Sequence, residues 1–112
     1  MELFFKLGNE IIIVKIEGNN VLFANQMTHF NQYFPIDALK LNKEGILKEN
    51  PDLKDLGDEE IKIEGAKRFK EHIKTFKNEN RIKDYIIKEL ENCGYILQGF
   101  KKEGFRYVKA KK

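Results

Sequence analysis

Tyr95, Phe100, Phe105 and Tyr107 are interspersed with Lys101, Lys102, Arg106 and Lys109 in the last eighteen residues of this chain. Aromatic faces can stack on unpaired bases while cationic side chains hold the sugar-phosphate backbone, so this is the stretch whose residue types best suit a polyanion. From Lys101 onward the formal charge is +5, which leaves −2 for everything before it. The basic character is therefore local. A second row, Lys67, Lys70, Lys74 and Lys77, recurs at helical spacing and would form a basic ridge. The plainer reading of such lysines is that their stems cover the margin of a core while the ammonium groups stay in water. Aromatics in a hairpin are, by the same token, ordinary packing residues.

Other chemistries find little support. The chain has no serine, and its single Cys93 falls at a helix end facing the interior, a poor setting for a thiolate. His29 and His72 have no His or Cys at metal-ligand spacing. The acids from Glu49 to Glu60 lack the alternating ligands and glycine of a calcium loop, although two carboxylates meeting in a cleft could still do acid-base work. No catalytic residue, cofactor or metal is expected.

The elements that must position these groups follow from the apolar pattern. Leu3 to Leu7, Glu10 to Glu17 and Asn20 to Gln26 alternate as three strands, and tight turns at Gly8-Asn9 and near Gly18-Asn19 join them into a meander. A two-residue first turn sets Phe5 opposite Ile12 and Leu3 opposite Val14, on one face with Ile16, Val21 and Phe23. The reverse face carries Phe4, Ile11, Ile13 and Leu22 beside Lys6, Lys15 and Glu17, which is more apolar than solvent requires. Met27 to Phe34 reads as a loop with one helical turn before Pro35. The run ALKLNKEGILKE reads as a second short hairpin turning at Lys43-Glu44-Gly45, much as Lys102-Glu103-Gly104 turns the last one. Asp58 is read as the cap of a helix running to about Lys77, weakened at Gly65, with EIKIE alternatively a short strand. A second helix runs from about Asn80 to Cys93, with Ile82, Tyr85, Ile86, Leu90 and Cys93 on one stripe, and Gly94 followed by Tyr95 closes it in a Schellman-type end.

Two helices and a hairpin in this order resemble a winged helix-turn-helix, in which the second helix would enter the major groove. Residues 79 to 92 carry a net charge of −1, which opposes that role. The fold expected is α+β: an N-terminal antiparallel β-meander, a second short β-hairpin, two consecutive helices and a C-terminal β-hairpin, in a single domain over residues 1–112 with a basic tail.

At 112 residues and 41% apolar content the chain can bury one core and is too apolar for a disordered segment. It has no apolar run long enough to span a bilayer and no signal pattern, so no membrane partner is expected and the cytoplasm, a host's cytoplasm if viral, is the expected compartment. In composition and size it resembles small accessory proteins of viruses, mobile elements and AT-rich microbes. Lysine outnumbers arginine 18 to 3, as AT-rich codons favour, which weakens any argument from lysine count alone.

The leading expectation is a small non-enzymatic binding protein that contacts nucleic acid non-specifically through Lys67, Lys70, Lys74, Lys77, Lys101, Lys102, Arg106 and Lys109. The alternative is a protein-interaction or self-associating module, a homodimer, using the apolar reverse face.

Overall fold

The computed structural model describes residues 1–26, 29–102 and 106–110. Three strands, β1 (Glu2–Leu7), β2 (Glu10–Glu17) and β3 (Asn20–Asn25), form the meander. The turns are the expected two-residue ones, with Gly8 and Gly18 at φ of 59° and 61°. That left-handed backbone suits the primed hairpin turns and is open to glycine without strain. Phe5 pairs with Ile12, Leu3 with Val14, Val14 with Phe23 and Ile16 with Val21, as the alternation predicts.

Residues 38 to 49 depart from expectation. In place of a second hairpin the chain forms helix α1 (Lys43–Glu49) after a short strand β4 (Phe34–Pro35) that pairs with β3 and a single 3-10 turn at Ile36–Ala38. Asn42 decides the outcome locally, because its Oδ1 accepts from the Gly45 amide at 2.7 Å as an N-cap does, and its Nδ2 donates to the Cys93 carbonyl at 2.7 Å. One residue thus starts α1 and ties it to the end of another helix. Asn42→Ala is expected to cost about 2 kcal/mol, the sum of a lost cap and a lost tertiary hydrogen bond. Urea denaturation measures this; a midpoint equal to the wild type's would refute the account.

Helix α2 (Asp58–Ile73) is capped by the backbone at Gly57, and Asp58 is its first residue rather than its cap. The Asp58 carboxylate instead meets Lys43 Nζ at 2.8 Å and is held below the usual carboxylate range by that hydrogen bond. The helix also stops at Ile73, short of Lys77. Its end is secured by Asn19 in the β2–β3 turn, whose Nδ2 donates to the carbonyls of Ile73 and Phe76 at 3.3 and 2.6 Å. Helix α3 (Glu79–Asn92) is capped by Asn78 and ends as expected, with Gly94 at φ 93° and the Tyr95 amide donating to the Leu90 carbonyl at 2.9 Å.

The last two strands, β5 (Ile96–Lys101) and β6 (Val108–Lys109), complete one antiparallel sheet in the order β4-β3-β2-β1-β5-β6. Because β5 pairs with β1, the final hairpin belongs to the main sheet and is not a projecting wing. Of its expected turn, Glu103 and Gly104, and Phe105 after them, lie outside the described residues. The fold is α+β, with α1, α2 and α3 on one face of the sheet. Leu3, Phe5, Ile12, Val14, Ile16, Val21 and Phe23 meet Ile61, Phe69, Ile73, Ile82, Ile86 and Leu90 there in one buried cluster. No helix among the described residues is long and apolar enough to cross a membrane.

Candidate nucleic-acid interface

The strand pairing assigns the opposite face residue by residue. Directly paired residues point the same way, so Phe4, set between the buried Leu3 and Phe5, shares the open face with Ile13 on β2 and Gly99 on β5, and Gly99 shares it with Lys109 on β6. Lys101 joins this face through its pairing with Glu2. So do Lys6 and Lys15, by alternation along β1 and β2.

Tyr107 lies at the middle of this group. Its ring packs edge-on against Phe4 with centroids 5.1 Å apart, and its hydroxyl donates to the Gln98 carbonyl at 3.0 Å. The ring occupies the space where a β-carbon at residue 99 would lie, so only glycine there lets it cross β5. Gln98 is the extra residue of a bulge where the register shifts between Phe4 and Phe5. That shift frees the Gln98 carbonyl to accept from Tyr107 and, at 2.9 Å, from the Ala110 amide. On the same face, farther from the hairpin, Lys15 Nζ sits 5.3 Å from the centre of the Tyr33 ring and 2.9 Å from Glu17 Oε1. The Glu17 hydrogen bond raises the Lys15 pKa, so this cation is partly committed. Lys6, Lys101 and Lys109 are exposed, and no ion pair engages them among the described residues.

The seven lysines and one arginine named from the sequence do not converge on one surface. Lys101 and Lys109 stand together on the open face, and Arg106, exposed, adjoins Tyr107. Lys102 borders a recess with Met1, Gly18 and Glu79 at one end of the sheet. Lys67, Lys70 and Lys74 belong to the helical layer on the other side, and Lys77 falls past the end of α2, out of the row. Lys70 lies 3.5 Å from Asp37 Oδ2 and, with Lys74, borders β3 and β4. From β3 to β5 is three strand spacings, roughly 14 Å, which exceeds the Debye length of about 8 Å at physiological salt. The ridge and the hairpin act on different surroundings.

What the sequence reading missed is Lys6, Lys15 and Phe4 as partners of the hairpin. Their alternation placed them on the reverse face; the unread fact was that β5 pairs with β1, which brings Lys101, Tyr107 and Lys109 alongside. Cys93 is buried, and that burial pushes its thiol pKa up. No protein-family model, curated protein or solved structure gives a significant match to this chain.

Proposed function

We propose that this protein is a non-enzymatic nucleic-acid-binding protein that holds single strands against its open sheet face, with little sequence specificity. The observation that carries the reading is the grouping of Lys6, Lys101 and Lys109 around Phe4 and Tyr107 on the face opposite α1, α2 and α3. A half-exposed tyrosine on the sheet face offers a base a π surface, and the lysines around it can neutralise successive phosphates. Lysine supplies point charges rather than the bidentate fork that reads base edges, which fits binding governed by phosphates.

Fluorescence anisotropy of a labelled oligothymidylate or an unstructured RNA, titrated at several salt concentrations, tests this. Lys101→Glu with Lys109→Glu is expected to weaken binding by at least about tenfold and to flatten the salt dependence by roughly 1.4 in log-log slope. Tyr107→Ala is expected to lose about tenfold, while Tyr107→Phe retains the stack. Lys67→Glu with Lys74→Glu should change little. Absence of binding by the wild-type protein at low salt ends the proposal, as does loss of affinity in the helix-side pair alone.

One observation favours a second reading, a protein-interaction or self-associating module: Ile96, Tyr107 and Val108 are each about half exposed along β5 and the β6 edge. Sedimentation velocity separates the two. A concentration-dependent dimer abolished by Ile96→Lys supports association; a monomer at high concentration argues for the first reading.

A further inference from the structure

Glu89 is the single buried charged residue among those described, 5% exposed on α3, and no hydrogen bond or ion pair reaches its carboxyl among the described residues. Buried carboxylates are ordinarily paired or hydrogen-bonded, because desolvation without compensation is costly. This one lines a cleft of about 480 Å³ between α1, α2 and α3. The cleft is shallow and open to solvent, so a ligand there would rest partly exposed.

The wall beside Glu89 is aromatic. Tyr85 lies 4.5 Å, centre to centre, from His72 in a tilted stack, and Phe69 and Phe76 pack against the same tyrosine at 5.5 and 5.6 Å. Burial and the nearby carboxylates of Glu89 and Glu49 raise the Tyr85 pKa, so the phenol stays neutral. The charges around the cleft mostly cancel. Arg68 is held by Asp52 at 2.7 Å and by Glu64 at 3.5 Å, and Lys88 by Glu49 at 3.3 Å. Glu71 and Glu89 make no ion pair of their own among the described residues, although Lys88, paired with Glu49, lies close enough to Glu89 to favour its charged form in part. No three acidic, histidine or cysteine side chains among the described residues are grouped as metal ligands. A buried, unpaired carboxylate beside aromatic faces instead matches an organic cation, which ion-pairs with the one and is attracted by the ring quadrupoles of the other.

The geometry points to a binding site for a small ammonium or guanidinium compound in this cleft, with Glu89 as its anion and Tyr85 with His72 as its wall. The site is distinct from the open sheet face, and its ligand is of opposite charge to a nucleic acid. Binding draws on the ionised form of Glu89, which burial and Glu49 otherwise disfavour, shifting its pKa up to about 7. Affinity is therefore expected to fall about tenfold per unit as pH drops below that value. The other titratable or charged groups facing the cleft are Glu49 on α1, Arg68, Glu71 and His72 on α2, and Tyr85 and Lys88 on α3. A His72→Asn variant separates the contribution of the imidazole from that of Glu89.

Agmatine and putrescine, with acetate and glycerol as anionic and neutral controls, serve as probes in isothermal titration calorimetry between pH 5 and 8. Saturable binding of the cations alone, lost at least tenfold in Glu89→Gln and weakened by Tyr85→Leu, is the expected result. A carbon-13 titration of the Glu89 carboxyl in the wild-type protein reads the same site without any substitution, and its midpoint should fall by at least one pH unit when agmatine is added. No heat at 10 mM probe, equal affinity in Glu89→Gln, or an unmoved carboxyl midpoint would each overturn the assignment.

Discussion

Gly45→Val is expected to destabilise this protein by at least about 3 kcal/mol, lowering its melting temperature by on the order of 15 °C. Gly45 sits in α1 where that helix meets the end of α3. A β-carbon added there would collide with Cys93 Sγ and come within 2.9 Å of the Asn92 carbonyl oxygen. The thiol is small and enclosed, and the carbonyl is backbone, so neither can yield without separating the helices. Valine adds two methyl groups to that collision, and its β-branch suits a helix poorly. Gly57→Ala provides the contrast, because a β-carbon at that position meets nothing nearer than 3.7 Å. Thermal denaturation followed by circular dichroism measures both, and a Gly45→Val protein melting within about 3 °C of the wild type would contradict the packing described.

The second large effect is a loss of stability with rising pH. Glu89 has a folded-state pKa near 7, above the ordinary glutamate value of 4.5, chiefly because burial disfavours its charged form and secondly because Glu49 is close. Between those two values the folded protein binds more protons than the unfolded chain. Stability therefore falls as pH rises through that window, and the whole of Glu89's favourable contribution is present only below about 4.5. The shift corresponds to a loss on the order of 3 kcal/mol. Glu89→Gln removes the titration, so the difference in unfolding free energy between the two proteins should move by that amount in favour of glutamine from pH 4.5 to pH 8. Urea denaturation at the two pH values reads it, and parallel pH profiles would refute it. Asp52 and Asp58 work in the opposite sense, since Arg68 and Lys43 hold their pKa values low and their contribution is lost on acidification.

How far residues 1 to 26 could be read from the chain, and how far 38 to 49 could not, has a physical cause. The meander is built from neighbouring strands joined by two-residue turns, so Gly8 and Gly18 alone set the register and period-two alternation sets the faces. The α3 segment was equally legible, because its stripe and Gly94 after it agree. ALKLNKEGILKE carries contradictory local signals. Its Lys-Glu-Gly looks like a bulged turn, and its seven helical residues are too few for a stable isolated helix. Packing against α3, with glycine at the crossing and Asn42 bonded to Cys93, overrides the turn signal.

Gly65 illustrates the same point in α2. Locally it weakens a helix; in the fold it admits Ile46, whose Cγ2 would lie 2.7 Å from any β-carbon there. Similarly, Gly99 reads as a weak point in a strand but is the space across which Tyr107 reaches Phe4. A glycine's purpose in such places depends on a residue far along the chain.

Local pattern by itself determined the α+β class, the meander with its register, the two long helices and the concentration of charge after residue 100. Those features arise from contacts between near neighbours, whose spacing the covalent chain sets. Tertiary structure alone decided that β5 pairs with β1, which brings Lys101, Tyr107 and Lys109 beside Phe4, and that α1, α2 and α3 enclose Glu89. Both depend on which distant segments meet, and that is settled by the shared burial of Leu3, Phe5, Ile86 and Leu90 rather than by any one stretch of residues.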